Sequence, residues 1–234
     1  MAEAAFRTIG ATTYLCPLPT VLVGCAADGG WQNGGAGKPN LITIAWTGIC
    51  CTKPPMLGIS VRRERHSHAL LLASGECTVN LVGEPLLFAM DYCGVKSGRD
   101  VDKFKALGLH AIPAEGLDSA PALAEAPAYL SCKIRQVVPL GSHDLFLAEI
   151  MQVSVAQAYF RTDGSIDEQA MALVSFVHGK YRATGSEIGF FGYSVASDAV
   201  LQRRMPGTSR PKPNRSTGKH GAAHARGKRP DGET

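Results

Sequence analysis

The sequence predicts a mainly β fold, a barrel with short helices added to it, and three observations support this. Six runs of apolar, β-branched and aromatic residues have the length of strands. Helical patterns are few and short, and the connections are rich in glycine and proline, unlike the regular strand–helix alternation of a parallel sheet. With 234 residues and 45% hydrophobic content, the chain can bury a full core.

The six predicted strands are rich in valine, isoleucine, leucine and aromatic residues, the types that favour a pleated and partly buried backbone. They cover residues 20–27, 41–46, 56–61, 77–82, 130–138 and 145–155. Residues 28–38 contain five glycines and are predicted to form a surface loop. The loop fits neither the Walker A spacing nor the G-x-G-x-x-G fingerprint, so the sequence gives no sign of a nucleotide-binding loop of either kind.

Three short helices are predicted between the strands. Residues 67–73 have the apolar content and propensity of a helix, and residues 85–91 begin with a proline at a favourable first-turn position. Residues 102–107 form a short amphipathic turn that Gly108 closes.

Composition divides the chain into a domain of residues 1–202 and a basic tail of residues 203–234. The tail holds nine Lys or Arg against two carboxylates, so it carries +7 of a total net charge of +4 and leaves −3 for the domain. It has no aromatic residue and no β-branched aliphatic one, so we expect it to be disordered. A basic tail can bind polyanions, but a solvated extension is the simpler interpretation, and we expect no nucleic-acid function.

Two polar segments could bind a ligand. The first is the densest cationic cluster of the domain and reads Arg-Arg-Glu-Arg-His-Ser at residues 62–67. Arginine forks and the N–H groups of a helix start suit a phosphate, although a solvated charged turn has the same composition. The second, residues 91–104, carries Gly94 and Gly98, which permit close approach of a flat ligand or simply connect two helices.

A turn of residues 141–144 places His143 before a long apolar run. This histidine is either an ordinary exposed side chain or a polar group at the barrel mouth that holds a reducing substrate. No set of ligands with metal-binding spacing is present in the sequence, so we expect no metal site. We also expect no membrane span and a cytoplasmic location, because no apolar stretch reaches about 18 residues and no secretory pattern is readable.

Taken together, several segments carry a resemblance to a known family. They are residues 17–24, 40–48, 53–55, 59–62, 65–68, 79–81, 91–104, 141–146 and 189–194. In this order and spacing they resemble the flavoredoxin branch of the flavin reductase-like family, from about residue 14 to residue 195. Ser67, Cys77 and Ala148 stand where the family usually has Thr, Phe and Gly; the first change keeps the hydroxyl group.

The resemblance implies an FMN-binding split barrel, that is, a six-stranded antiparallel Greek-key barrel with flanking short helices. It implies a homodimer with FMN near the subunit interface. It also implies the FMN-binding residues, which are Asn40, Thr43, Ile44, Ala45, Trp46, Thr47, Ser60, Val61, Arg62, Arg65, His66, Ser67, Ser97, Gly98, Lys103 and Phe104. By the same resemblance, Arg62, Arg65, His66 and Ser67 hold the phosphate, and His143 is the catalytic residue beside the nicotinamide of NADH or NADPH.

The function this predicts is an NAD(P)H-dependent flavin reductase that passes electrons through bound FMN. The alternative is a flavoredoxin-type electron carrier whose FMN is reduced by a protein partner. The sequence does not separate these two functions, since the same flavin site serves both.

Overall fold

The computed structural model describes residues 5–27, 29, 31 and 37–207. Most of the predicted loop of residues 28–38 lies outside the described residues. The predicted tail lies outside them from residue 208 onward.

One antiparallel sheet of seven strand segments forms the centre of the fold. The segments are β2 (Val21–Cys25), β3 (Asn40–Ile44), β4 (Thr47–Thr52), β5 (Pro55–Arg62), β6 (Glu76–Leu81), β9 (Ala128–Pro139) and β10 (His143–Val155). Their order in the sheet is β3-β2-β6-β9-β10-β5-β4, and every neighbouring pair is antiparallel.

The two edge strands of this sheet are consecutive in the chain. Only Ala45 and Trp46 separate β3 from β4, and the N–H of Ser60 in β5 donates to the carbonyl of Trp46 at 2.9 Å. A single bent strand therefore contributes to both edges, and the seven segments amount to six strands. The predicted mainly β split-barrel class is confirmed.

Local sequence explains where the helices begin and end. Helix α1 (His66–Ser74) ends at Gly75, whose φ of 65° lies in the left-handed region that favours glycine. A 3₁₀ turn of Glu84–Leu86 leads into α2 (Leu87–Val95). Asp102 caps α3 (Lys103–Leu107) by accepting from the N–H of Lys105 at 3.1 Å. All three predicted helices are thus present, with bounds shifted by a few residues.

Several short strands were not predicted from the sequence. Strands β7 (Ala111–Pro113) and β8 (Pro121–Leu123) pair with each other, and β1 (Leu18–Pro19), β11 (Val174–Val177) and β12 (Lys180–Ala183) form a small sheet. Strand β4 was also missed, because most of its residues are exposed and lack the apolar alternation that marks a half-buried strand.

The hydrophobic core lies on both faces of the sheet. Val21, Val23 and Cys25 of β2 pack inward with Ile59 and Phe146. Leu22, on the opposite face of β2, packs in a second cluster that α2 and α3 cover, with Leu41, Met90, Cys93 and Phe104 among its members. Strand β2 is therefore buried on both sides, which accounts for its continuous apolar run.

The chain divides into two compact units, residues 1–186 and 187–234. In the second unit, α4 (Asp198–Arg204) is capped by Ser197 and ends two residues beyond the predicted domain boundary at 202. No helix in the part of the chain that the structure describes is long and apolar enough to cross a membrane.

Candidate functional site

A groove in the first unit runs between β3, the end of β5 and the starts of α1 and β10. One part, the central cavity, has a volume of about 270 Å³. The other, the basic cavity, has a volume of about 190 Å³, and the two share Ile42 and Arg65 in their walls. Because they share these two wall residues, the two cavities adjoin each other.

Most of the predicted site residues line this groove. The central cavity is lined by Ile42, Thr43, Ile44, Ala45, Trp46, Ser60, Val61, Arg62, Arg65, Gly94 and His143. The basic cavity is lined by Ile42, Glu64, Arg65, His66, Ser67, Lys96, Ser97, Gly98, Arg99 and Lys103. Asn40 lines a smaller adjoining pocket with His66 and Gly98.

Two predicted residues lie elsewhere. Phe104 lines none of these cavities and packs in the core cluster with Leu22 and Met90, because it follows Lys103 on α3 and points to another face of that helix. Thr47 lines a separate apolar cavity of about 430 Å³, which shares only Trp46 with the central cavity.

Buried polar side chains connect the walls of the basic cavity. The Asn40 amide nitrogen donates to the Ser67 hydroxyl oxygen at 2.8 Å, and both residues are buried. While accepting from Asn40, the Ser67 hydroxyl group still has its own proton to donate, and the buried Cys25 thiol is a second side-chain partner of this hydroxyl group. Ser67 also lies in the first turn of α1, where backbone N–H groups have no helical acceptor and the helix dipole favours negative charge.

Lys103 is almost fully buried beneath the basic cavity. Its ammonium group donates to the carbonyl of Leu41 in β3 at 2.6 Å and to that of Cys93 in α2 at 3.0 Å. Burial lowers the pKa of this lysine from its ordinary value, and the nearby Arg65 lowers it further. The side chain thus ties three elements together and supplies positive charge to the cavity floor.

Positive charge is concentrated around this end of the groove. Burial lowers the pKa of His66, and the neighbouring cations Arg99 and Lys103 lower it further. Arg65 donates to the Gly94 carbonyl at 2.6 Å, and Arg99 donates to the Glu64 carbonyl at 3.0 Å. Both arginines are thereby held across the cavity, where an anion would offset their mutual repulsion.

Gly98 is required by the close approach of the loop that closes the basic cavity. A Cβ atom at this position would overlap the Asn40 amide and lie 2.8 Å from Cδ2 of His66. Only glycine leaves room there without moving Asn40 and His66.

The other end of the groove carries two rings. The ring centroids of Trp46 and His143 lie 4.6 Å apart, and Trp46 is exposed. Antiparallel pairing of β10 with β5 sets His143 directly opposite Arg62. The central cavity is therefore lined by residues 42–44 of β3 and has an exposed aromatic edge.

Gly94, Lys96 and Arg99 belong to the groove but were not among the predicted binding residues. The segment containing them, residues 91–104, carried the resemblance, so the signal was present. The individual residues could not be identified from the sequence, because contacts such as that of Arg65 with Gly94 join positions 29 residues apart.

Comparison with known proteins agrees with this geometry. Residues 13–185 match the family model of the flavin reductase like domain. This match covers well over half of the chain. The chain belongs to the flavin reductase-like family. The resemblance read from the sequence is thus confirmed.

Among solved structures, the flavoredoxin of Desulfovibrio vulgaris (Miyazaki F) is 30% identical in sequence. It superposes with a TM-score of 0.72 over 80% of this chain and 97% of that one. An uncharacterised protein of Archaeoglobus fulgidus is 29% identical over 76% of this chain and 93% of its own. An FMN reductase (NADH) of Pseudomonas syringae pv. syringae is 26% identical over 62% of this chain and 84% of its own.

Proposed function

We propose that the groove binds FMN and that the protein is an NAD(P)H-dependent flavin reductase. The observation that carries this proposal is the contrast between two adjoining cavities. The basic cavity suits a phosphate, and the central cavity, which is lined by both polar and apolar residues, leaves room for a flat ring system. The named relatives, a flavoredoxin and an FMN reductase, support the choice of flavin.

The phosphate fits the basic cavity because the cavity offers both charged and neutral donors. Arg65 and Arg99 supply cationic forks, and Ser67 supplies a hydroxyl group that accepts from Asn40. Lys103 is held below them by two carbonyl groups. A phosphate placed there would relieve the repulsion among these cations and would gain charge-assisted hydrogen bonds.

The ring system fits the central cavity because residues 42–46 form one long wall of it. Thr43 is held by a hydrogen bond to the carbonyl of Met90 in α2, so this wall does not move independently of the helix. Ser60, Val61 and Arg62 of β5 form the opposite wall. Together the two cavities reach the roughly 300–1,000 Å³ that small-molecule sites usually occupy.

The redox chemistry itself, acceptance of a hydride and release of electrons, is supplied by the flavin when it is bound. The residues of this chain hold the flavin in place, exclude water from one of its faces and leave the other approachable past Trp46. No side chain needs to act as acid or base for the hydride transfer. His143, at the open edge, would orient the nicotinamide.

Anaerobic mixing of the flavin-loaded protein with NADH or NADPH tests the reductase directly. We expect the flavin absorbance band to bleach within seconds to minutes. If neither nucleotide bleaches the band while dithionite still reduces the flavin, the protein is not reduced by NADH or NADPH. That result would favour an electron carrier, the second candidate.

That second candidate is an electron carrier reduced by a protein partner. The observation that favours it is the flavoredoxin likeness, with 30% identity over nearly all of that chain. The exposed ring of Trp46 would then lie at the point of electron transfer to the partner.

We also propose that the protein is a homodimer. Tyr14, Leu15 and Ile49 are large apolar side chains, all exposed; the first two precede β1 and the third lies in β4. Such surface on a soluble domain marks an interaction face. Light scattering should give twice the 24.7 kDa chain mass. A monomer mass with flavin still bound would refute the dimer.

A further inference from the structure

A buried ion-pair cluster lies behind His143, outside the groove. The carboxylate of Asp144 in β10 contacts the His68 ring nitrogen Nε2 at 2.9 Å and the Arg63 guanidinium at 2.8 Å. The Asp144 and His68 side chains are about nine-tenths buried, whereas that of Arg63 is half exposed. The three residues come from the start of β10, the start of α1 and the turn that follows β5.

The alternation of side chains along β10 links the orientation of Asp144 to that of His143. Successive side chains of a strand point to opposite faces, so an inward Asp144 directs its neighbour His143 outward, to the groove. Asp144 is buried on the same face as Phe146, and the ring of Phe146 meets the edge of His68 at 5.3 Å between centroids. The inward side chain is thus fixed both by charge and by packing.

The same cluster reaches the phosphate end of the groove through α1. His68 directly follows Ser67, whose hydroxyl lies in the basic cavity. The His68–Asp144 contact therefore joins the helix start that carries Ser67 to the strand start that carries His143.

The other contacts of the His143 ring lie at the surface. The three residues before it, Leu140, Gly141 and Ser142, are exposed, and Gly141 has a φ of 92°. Backbone pairing with β5 and β9 fixes the strand, and the ring has contacts with Ser142 and Trp46, both at the surface.

We propose that Asp144, held by His68 and Arg63, is a positioning residue that sets His143 against Trp46 at the nicotinamide end of the groove. This inference rests on the proposed function for its kinetic consequence, but the placement of His143 does not depend on flavin. Asp144 does not line the groove itself and acts on the nicotinamide end through His143. At the phosphate end, Ser67 keeps its own hydrogen bond from Asn40, so FMN binding does not depend on Asp144.

The first test is a flavin-free NMR measurement of the His143 ring, assigned with a His143→Gln variant. In the wild type, the ring current of Trp46 shifts the Cε1–H resonance from the position of a free histidine. In Asp144→Ala we expect it to move toward that position. The matched control is Glu149→Ala. Glu149 lies on β10, like Asp144, and its ion pair is with Arg135 of β9. This control should leave the resonance in place.

The second test separates positioning from general damage. In Asp144→Ala, the NADH concentration that gives half-maximal anaerobic flavin reduction should rise about fivefold, while the FMN dissociation constant changes by less than about twofold. Asp144→Asn, which keeps the shape and one acceptor, should lie between. If Asp144→Ala does not fold, Asp144→Asn with Glu149→Gln as control carries the comparison.

The outcomes are distinct. An unchanged His143 resonance in a folded Asp144 variant overturns the positioning role. So does an equal loss of NADH and FMN binding, which would indicate general loosening. If wild-type protein takes up no FMN, the proposed function fails, and the NMR comparison still decides whether Asp144 places His143.

Discussion

The two ends of the groove differ in how their side chains are held. At the basic end, Asn40, Ser67 and Lys103 are almost fully buried and bonded to neighbouring elements. At the other end, Trp46 is 41% exposed and His143 is at the tip of a hairpin. Buried, mutually bonded groups suit a ligand that stays, whereas an open edge suits one that arrives and leaves. We therefore expect changes at the basic end to affect flavin retention and changes at the open end to affect the electron donor.

The largest effect is expected from Gly98→Ala. Its new Cβ would overlap the Asn40 amide and displace His66, and overpacking of this kind costs about 1–3 kcal/mol. FMN affinity should fall by roughly a hundredfold, as measured by flavin fluorescence titration. Gly185→Ala is the matched control, since a Cβ there meets open space. Equal FMN binding by the Gly98 variant and this control would place the flavin elsewhere.

The next effect in size is expected from Arg65→Ala. A charge-assisted bond to phosphate is worth about 1.5–3 kcal/mol, so FMN binding should weaken by roughly ten- to a hundredfold. The affinity for riboflavin, which lacks the phosphate, should fall much less. Ser67→Ala should show the same selectivity to a smaller degree. Arg135→Ala serves as the control, because Arg135 pairs with Glu149 away from both cavities. A matching loss for the two flavins would show that Arg65 does not touch phosphate.

A smaller effect is expected at the open end from His143→Ala. Loss of one ring contact is worth about 0.5–1.5 kcal/mol, so the NADH requirement for flavin reduction should rise roughly two- to tenfold. FMN affinity should stay within about twofold, because the basic cavity is intact. The NADH requirement is measured by anaerobic stopped flow, and the FMN affinity by fluorescence titration. A variant that loses FMN as strongly as Arg65→Ala would contradict the division between the two ends.

The smallest effect is expected from removal of residues 208–234. These residues carry seven of the chain's Lys and Arg side chains and lie beyond α4. FMN affinity and nicotinamide-dependent reduction should be unchanged, while the isoelectric point should fall from its basic value near 8.7. Loss of flavin or of the dimer on truncation would mean that the tail is structural.

The sequence predicted the class of fold and six of the seven strand segments of the sheet, because these segments have long apolar runs. It missed β4, whose exposed residues carry no such signal, and with it the bend at Ala45 and Trp46 that joins the two sheet edges. The basic cavity was predictable in outline, since residues 62–67 and 97–103 are dense in charge and glycine. Phe104 was predicted to bind FMN, yet it packs in the core, because the sequence does not show which face of a five-residue helix turns inward.

Contacts between distant residues could not be predicted in the same way. Asn40 meets Ser67 across 27 residues, and His68 meets Asp144 across 76. Such pairs depend on strand order and on the docking of α1, which local patterns do not specify. For the same reason, only the structure shows that Arg99 contacts Glu64 and that Gly94 contacts Arg65.

The central claim is that one groove binds FMN with its phosphate in the basic cavity. The most direct measurement compares the dissociation constants of FMN and riboflavin for the wild-type protein by fluorescence titration. With Arg65, Arg99 and Ser67 on the phosphate, FMN should bind at least about a hundredfold more tightly than riboflavin, since two charge-assisted bonds together exceed about 3 kcal/mol. Equal affinities for the two flavins, or no binding of either, would contradict it.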